Sequence, residues 1–433
     1  MGSAPKLKIR LLYFLHVLCF SSPADAVHLF PKKSQPTKSG YLSINSTTSS
    51  AIFFTFYEAQ EPIFRLSQTP LLVWLQGGPG CSSQQASFFE LGPWRLNPKR
   101  NAHKKLVLEE NPGAWNRKFG LLFLDNPIGT GFSIASSQAE IPKNEYTVAK
   151  HLISALTSFI SADPLFKSRP IFITGESYAG KYVPAVGYYI LQQWSELNLK
   201  GIAIGDGLTH PVTQVATHAA TAYYSGLINE KQRTQLEEIQ AQAVELTQKA
   251  EWKEATDARN RVLDWLQNAT GLATLFDLRR KTPYETEILG AFLNKGRVKK
   301  ALGVDKSRVW VECSEAVAEA LHEDVMKSVK FMVEELVKKS KVLLYQGQFD
   351  LRDGVVSTEA WVKEMNWDGL QSFLTAEWKV WKVNGQLAGY VQKWGSLSEV
   401  VVSGAGHLVP ADQAVNSQAM IEDWVLERGL FQD

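Results

Sequence analysis

Residues 170–180 read Pro170-Ile171-Phe172-Ile173-Thr174-Gly175-Glu176-Ser177-Tyr178-Ala179-Gly180. The apolar run Ile171 to Ile173 is a short strand, and the stretch from Tyr182 to Trp194 has helical periodicity. Between them stands Gly175-x-Ser177-x-Ala179. A strand that ends in this pattern and passes at once into a helix is a nucleophile elbow, a strained turn that lifts a serine hydroxyl above a sheet. Small residues at 175 and 179 let the chain double back closely. The same stretch nearly spells a phosphate loop, because Gly175 to Gly180 is followed by Lys181. The next residue is Tyr182 rather than Ser or Thr, so the magnesium-binding hydroxyl is missing, and Glu176 would repel phosphate. The elbow is the reading that stands.

Outward from the elbow, short apolar runs recur at Leu71 to Leu75, Leu121 to Leu124, Ile202 to Ile204, Val342 to Tyr345 and Val400 to Val402. Most are followed by Gly, Pro, Asn or Asp, and Val148 to Ile160 has helical periodicity. Buried strands alternating with helices predict an α/β fold: a mostly parallel, mixed sheet covered by helices on both faces. Its catalytic groups belong at the carboxyl ends of strands. Residues 39–60 alternate apolar and polar, as an antiparallel strand pair does. Residues 212–311 are different. Glu230 to Trp265 is charged, Gln-rich and helix-patterned, with no strand run. The segment predicts a helical insertion, a cap beside the site, between core parts at 27–211 and 312–433.

A serine nucleophile needs a base, and the base needs a carboxylate to orient it. The expected chain order is Ser, then Asp or Glu, then His. Downstream of Ser177 lie His210, His218, His322 and His407. The first two open the insertion and His322 sits in a helix-like stretch. His407 follows the strand Val400 to Val402 in the glycine-rich Ser403-Gly404-Ala405-Gly406-His407, a turn able to aim an imidazole back at the elbow. Asp350, after Val342 to Tyr345, is nearer its strand end than its competitor Asp353. Backbone N–H groups of Gln76-Gly77-Gly78-Pro79-Gly80, after another strand, join that of Tyr178 as donors for an oxyanion. Neither a metal nor another cofactor is expected, since no His-Glu-x-x-His or comparable ligand cluster is present.

The chain has 433 residues, 45% hydrophobic and 21% charged. That is ordinary globular composition, and it excludes disordered, collagen-like and polytopic membrane classes. Residues 1–26 read as a secretory signal peptide. Lys6, Lys8 and Arg10 precede the apolar run Leu11 to Phe20, and Ala24-Asp25-Ala26 is a cleavage pattern. Without it, no membrane span is expected. Cleavage after Ala26 removes three bases and one acid from the 46 bases and 44 acids, so the mature chain is neutral. No basic run suggests a nucleic-acid partner. Cys19 leaves with the signal, and Cys81 and Cys313 remain to pair in an oxidising compartment. Closing so long a loop contributes about 5 kcal/mol in the chain-entropy account. Asn45-Ser46-Thr47 and Asn268-Ala269-Thr270 are glycosylation sequons, which fit secretion.

Four blocks, Trp74 to Ser83, Asp125 to Ser133, Gly175 to Pro184 and Gly404 to Pro410, closely resemble the serine carboxypeptidases, a family with the α/β-hydrolase fold. The resemblance runs from about Ser39 to Gly429 and is weakest in the insertion; the plant carboxypeptidase-like and vitellogenic-like branches look nearest. It implies a triad of Ser177, Asp350 and His407, with oxyanion donors on Gly78 and Tyr178. It implies that Gln76, Gly77 and Glu176 hold the free C-terminal carboxylate of a peptide or protein substrate, with Glu90 hydrogen-bonded behind them. Two acidic side chains beside a carboxylate cannot all stay ionised cheaply, so binding needs a proton and activity is expected to favour acidic pH. It further implies an extracellular or vacuolar enzyme that works through an acyl-enzyme. Some relatives dimerise, which leaves room for a homodimer. The plant branch also resembles acyltransferases that use sugar-ester donors, so transfer to an alcohol is the alternative. Gln76 replaces the family's usual asparagine, which keeps the amide but adds a methylene. Relatives often carry further disulfides in the insertion, whereas Cys81 and Cys313 resemble the core bridge.

Overall fold

The computed structural model describes residues 30–44, 47–97, 106–192 and 196–432. Residues 1–26, expected to be a signal peptide, and Asn45 lie outside these residues. The described strands are β1 (Lys38–Ser43), β2 (Ala51–Tyr57), β3 (Leu71–Leu75), β4 (Trp94–Leu96), β5 (Leu108–Glu110), β6 (Gly120–Leu124), β7 (Ile171–Glu176), β8 (Leu199–Gly205), β9 (Lys341–Gly347), β10 (Lys379–Val383), β11 (Gln386–Trp394) and β12 (Leu397–Val402). β4 and β5 form a small antiparallel pair. The other ten make one sheet in the order β1-β2-β6-β3-β7-β8-β9-β12-β11-β10. The stretch from β6 to β12 is parallel, and antiparallel pairs close both edges.

Alternation along each central strand sorts its side chains between two cores. Leu71, Val73 and Leu75 of β3, Ile171 and Ile173 of β7, and Val342 and Leu344 of β9 enter one core. Leu72, Trp74, Phe172, Leu343 and Tyr345 enter the other. Such strands are apolar throughout because both faces are buried. Helix α1 (Glu145–Ser161) and helix α2 (Ala179–Gln192) cover the first face, and the helix Ala414–Leu426 covers the second with Met420, Ile421 and Trp424. Pro184 lies inside α2 and has no N–H to give the carbonyl of Gly180. That carbonyl instead accepts the Thr209 hydroxyl at 3.0 Å.

The hairpin of β10 and β11 turns at Asn384-Gly385, both with positive φ (51° and 78°). An Asn-Gly pair is the residue choice that such a two-residue turn favours.

Between β8 and β9 the chain leaves the sheet. Helices α3 (Pro211–Val215), α4 (His218–Tyr224), α5 (Glu230–Gln248) and α6 (Trp252–Thr270) share a core of Val215, Ala219, Leu236, Ala243, Val262 and Leu266. The helices Glu287–Leu293 and Gly296–Leu302 do not join it. They pack on Phe30, Phe53 and Phe88, residues of the amino-terminal part of the chain. The excursion therefore has two halves, one with its own core and one completing the body. The Cys81–Cys313 disulfide anchors its far end to the loop after β3. Main-chain bonds from Ser314 to Gly80 (2.9 Å) and from Ser82 to Glu312 (2.8 Å) flank it. Asn268 is exposed on α6. Among the described residues no helix is long and apolar enough to cross a membrane.

Candidate active site

The parallel strands change direction of growth between β3 and β7. From β3 the chain moves to β6 on one side, then returns to place β7 on the other. The carboxyl ends of strands at such a switch point diverge to leave a crevice. Gln76 to Gly78 follow β3 there, and Ser177 follows β7.

Ser177 has φ 61°, a conformation that costs a non-glycine residue about 1–3 kcal/mol. Three backbone hydrogen bonds hold it. Its N–H donates to Gly205 O at 3.0 Å, and its carbonyl accepts from Gly180 (2.8 Å) and Leu208 (3.0 Å). The elbow is tight enough to require glycine. A Cβ on Gly175 would lie 2.4 Å from the Leu75 carbonyl oxygen. One on Gly77 would lie 2.6 Å from the Tyr178 amide nitrogen, so the loop after β3 runs against the elbow backbone. Lys181, which gave the stretch its likeness to a phosphate loop, is fully buried and ion-paired with Asp324. The Tyr178 hydroxyl donates to the same carboxylate at 3.0 Å.

Two more turns bring His407 and Asp350 together. The turns after β9 and β12 pack backbone to backbone, so that a Cβ on Gly347 would lie 1.9 Å from the Gly406 oxygen. This contact sets Asp350 Oδ2 2.7 Å from His407 Nδ1. The Asp350 carboxylate also accepts the N–H groups of Arg352 (2.7 Å) and Asp353 (3.2 Å). The imidazole stacks on Phe276, with centroids 4.5 Å apart and planes 12° from parallel. Its main-chain N–H donates to Phe276 O at 2.7 Å. With Nδ1 engaged, Nε2 is buried without a partner among the described residues. An imidazole held this way keeps Nε2 for proton transfer. Ser177 and His407 line one cavity of about 460 Å³.

The alternatives weighed for these roles lie elsewhere. Asp353 pairs with Arg259 at 3.4 Å. His210 bonds Ser328 and Glu364, His218 bonds main-chain carbonyls of Val215 and Arg352, and His322 bonds Asp257.

Beside the serine lies a buried carboxyl pair. Gln76 Nε2 donates to Glu176 Oε1 at 2.7 Å and reaches Glu90 Oε1 at 3.5 Å. Its Oε1 accepts the Trp74 indole N–H at 2.8 Å, which fixes the amide's orientation. Burial pushes the Glu90 carboxyl up to about 8. Burial, then repulsion from Glu90, holds Glu176 well above the usual carboxylate range. Oε2 of each acid is buried without a partner among the described residues. A protonated Glu176 carboxyl and the Gln76 amide, which both line the cavity, can donate hydrogen bonds to a bound carboxylate.

The cavity also has walls that sequence reasoning did not assign. Thr274, Phe276, Pro283 and Tyr284 reach it from the excursion between β8 and β9, and Arg352 comes from the turn after β9. The Tyr284 hydroxyl donates to Asp412 at 2.7 Å. Asp206, at the end of β8, lies within 4.8 Å of both Asp350 and His407. Its place after an apolar run, between Gly205 and Gly207, was the signal available for it.

The serine carboxypeptidase family profile, peptidase S10, matches residues 29–427. Serine carboxypeptidase-like 50 of Arabidopsis thaliana is 55% identical over 434 aligned residues, covering 100% of this chain and 96% of that protein. The venom serine carboxypeptidase of Apis mellifera is 34% identical, over 86% of this chain and 81% of that protein. In fold, the chain is similar to the crystal structure of a prohormone-processing carboxypeptidase from Saccharomyces cerevisiae. The TM-score is 0.80 at 24% identity, with 92% of each chain covered. A match across nearly the whole sequence, with a relative more than half identical from end to end, places this chain in the serine carboxypeptidase family.

Proposed function

We propose that this chain removes C-terminal residues from peptides by way of an acyl-enzyme on Ser177, and works best at acidic pH. The observation that carries the reading is the hydrogen-bonded pair of Gln76 and Glu176 lining the cavity that holds Ser177, with Glu90 behind them. In this reading the set grips the terminal carboxylate, which puts the last peptide bond at the nucleophile. Ser177 Oγ attacks the carbonyl carbon as His407 Nε2 takes its proton. The main-chain N–H groups of Gly78 and Tyr178 receive the oxyanion. His407 then gives the proton to the leaving amine, and the C-terminal residue departs. Water, deprotonated by His407, repeats the steps on the ester and frees the shortened peptide. Residues 1–26 direct the chain to the secretory pathway and leave an extracellular or vacuolar enzyme, with Asn45 and Asn268 as glycan acceptors.

The competing reading keeps the triad and moves the acyl group to an alcohol. Purified protein incubated with blocked dipeptides, and separately with a sugar-ester donor plus an alcohol, tests the choice. Release of free C-terminal amino acid is expected; acyl transfer without peptide cleavage overturns the proposal.

A further inference from the structure

Two carboxyl groups, not one, stand behind His407. Asp206 sits where β8 ends, with φ 42°, and its N–H donates to Tyr345 O at 2.9 Å. Among the described residues its two oxygens share a single donor, the Gly347 N–H, at 3.0 and 3.1 Å. Asp350, within 4.8 Å, has three donors of its own: the His407 ring and the N–H groups of Arg352 and Asp353. Both side chains are buried. Adjacent carboxylates in a water-poor site cannot both be ionised cheaply. The anion belongs to the acid with more donors, and the shared proton belongs to the other.

We infer that Asp206 is a positioning residue for the reaction: it stays protonated, donates a hydrogen bond to Asp350, and so holds the carboxylate that orients His407. Burial first and repulsion from Asp350 next raise the Asp206 carboxyl well above the usual range, in keeping with that role. The charged and titratable groups around it agree. They are Asp350 from the turn after β9, His407 from the turn after β12, Glu176 at the end of β7 and Tyr345 within β9. None except His407 can offer a positive charge to an ionised Asp206. Once Asp206 loses its proton, the donor to Asp350 disappears and two like charges face each other behind the imidazole.

The inference rests on Ser177, Asp350 and His407 acting as proposed above, and its test separates the two. Asp206→Asn keeps an acceptor for Gly347 and a donor for Asp350 but cannot ionise; Asp206→Leu has neither group. With a blocked dipeptide substrate, Asp206→Leu is expected to lower kcat by about ten-fold or more with KM within about two-fold. Asp206→Asn is expected to retain most of kcat and to carry it further into alkaline pH than the parent. The proton resonance of His407 Nδ1, followed by NMR, gives a readout that needs no turnover. It shifts as Asp206 ionises in the parent and does not shift in Asp206→Asn. Parent-like kcat in Asp206→Leu, or equal impairment of both variants, overturns the inference. Should Asp206→Leu fail to fold, an unmoved alkaline limb and an unmoved titration of the resonance in Asp206→Asn overturn it. A parent protein without peptidase activity, but with the expected NMR titration, would remove the proposed function and leave this hydrogen bond standing.

Discussion

Gln76 Nε2 lies 2.7 Å from Glu176 Oε1, across the carboxyl ends of neighbouring parallel strands. The two residues stand a hundred positions apart, and the switch in strand order makes them neighbours at the crevice. The longer side chain of glutamine still reaches Glu176, because the Trp74 indole fixes its amide oxygen.

That contact gives the pH dependence its sign. Burial holds both Glu176 and Glu90 protonated, and repulsion from Glu90 adds to the effect at Glu176. Under the proposed carboxylate-binding role, rising pH removes a proton and sets an anion against the substrate's carboxylate, so binding is expected to weaken. Glu176→Gln cannot ionise. The ratio of kcat/KM at pH ~7 to that at pH ~5 is expected to rise by about three-fold or more, mainly through KM. An unchanged ratio would reject the carboxylate-binding role of Glu176.

The elbow should tolerate no side chain at 175. A methyl there meets the Leu75 carbonyl oxygen at 2.4 Å and Ala179 Cβ at 2.8 Å, both on packed elements. Gly175→Ala is expected to cost about 1–3 kcal/mol in denaturant unfolding. Parent-like stability would show that the strand–helix packing is looser than described.

Glu399 is buried on β12 with one oxygen unpartnered among the described residues, and burial pushes its carboxyl up to about 8. A carboxyl raised in the folded state binds its proton more tightly there than in the unfolded chain. The associated stability is full below the unfolded value of about 4.5 and is lost as pH rises through about 8. Glu399→Gln lacks this loss. Its gain in Tm over the parent should be larger at pH ~8.5 than at pH ~5. An equal difference at both would contradict the buried, protonated acid.

Thiol titration of denatured mature protein should find none free, because Cys81 and Cys313 are joined. Replacing both by serine is expected to cost about 2–5 kcal/mol and to lower kcat as well, since the bridge secures the loop that carries Gly77 and Gly78. Two titratable thiols in the untreated protein would sink this expectation.

Much of this arrangement is legible in the sequence. Apolar runs ending in glycine, proline or acid mark the parallel strands, and the elbow, Asp350 and His407 all follow such runs. Other parts left weaker traces. Asp206 looks like an ordinary turn residue between Gly205 and Gly207, and only the approach of β8 to β9 turns it toward Asp350. Phe276 carries no periodic signal, yet it stacks on His407 from a segment far away in the chain. The two halves of the excursion between β8 and β9 read as one helical insertion, because nothing in Glu287–Leu302 names Phe30, Phe53 and Phe88 as its partners. Asn384-Gly385 was a readable hairpin signal, and β10 and β11 flank it with mixed polar and apolar residues.

The central claim is that this protein grips a free terminal carboxylate and cuts the bond beside it with Ser177. The most direct measurement is kcat/KM at pH ~5 for a blocked dipeptide against the same dipeptide with its C-terminus amidated, with Ser177→Ala as control. The account predicts release of the C-terminal residue from the acid, a loss of about ten-fold or more on amidation, and no turnover by the folded Ser177→Ala protein. Equal rates for acid and amide, or substantial activity in Ser177→Ala, would contradict it.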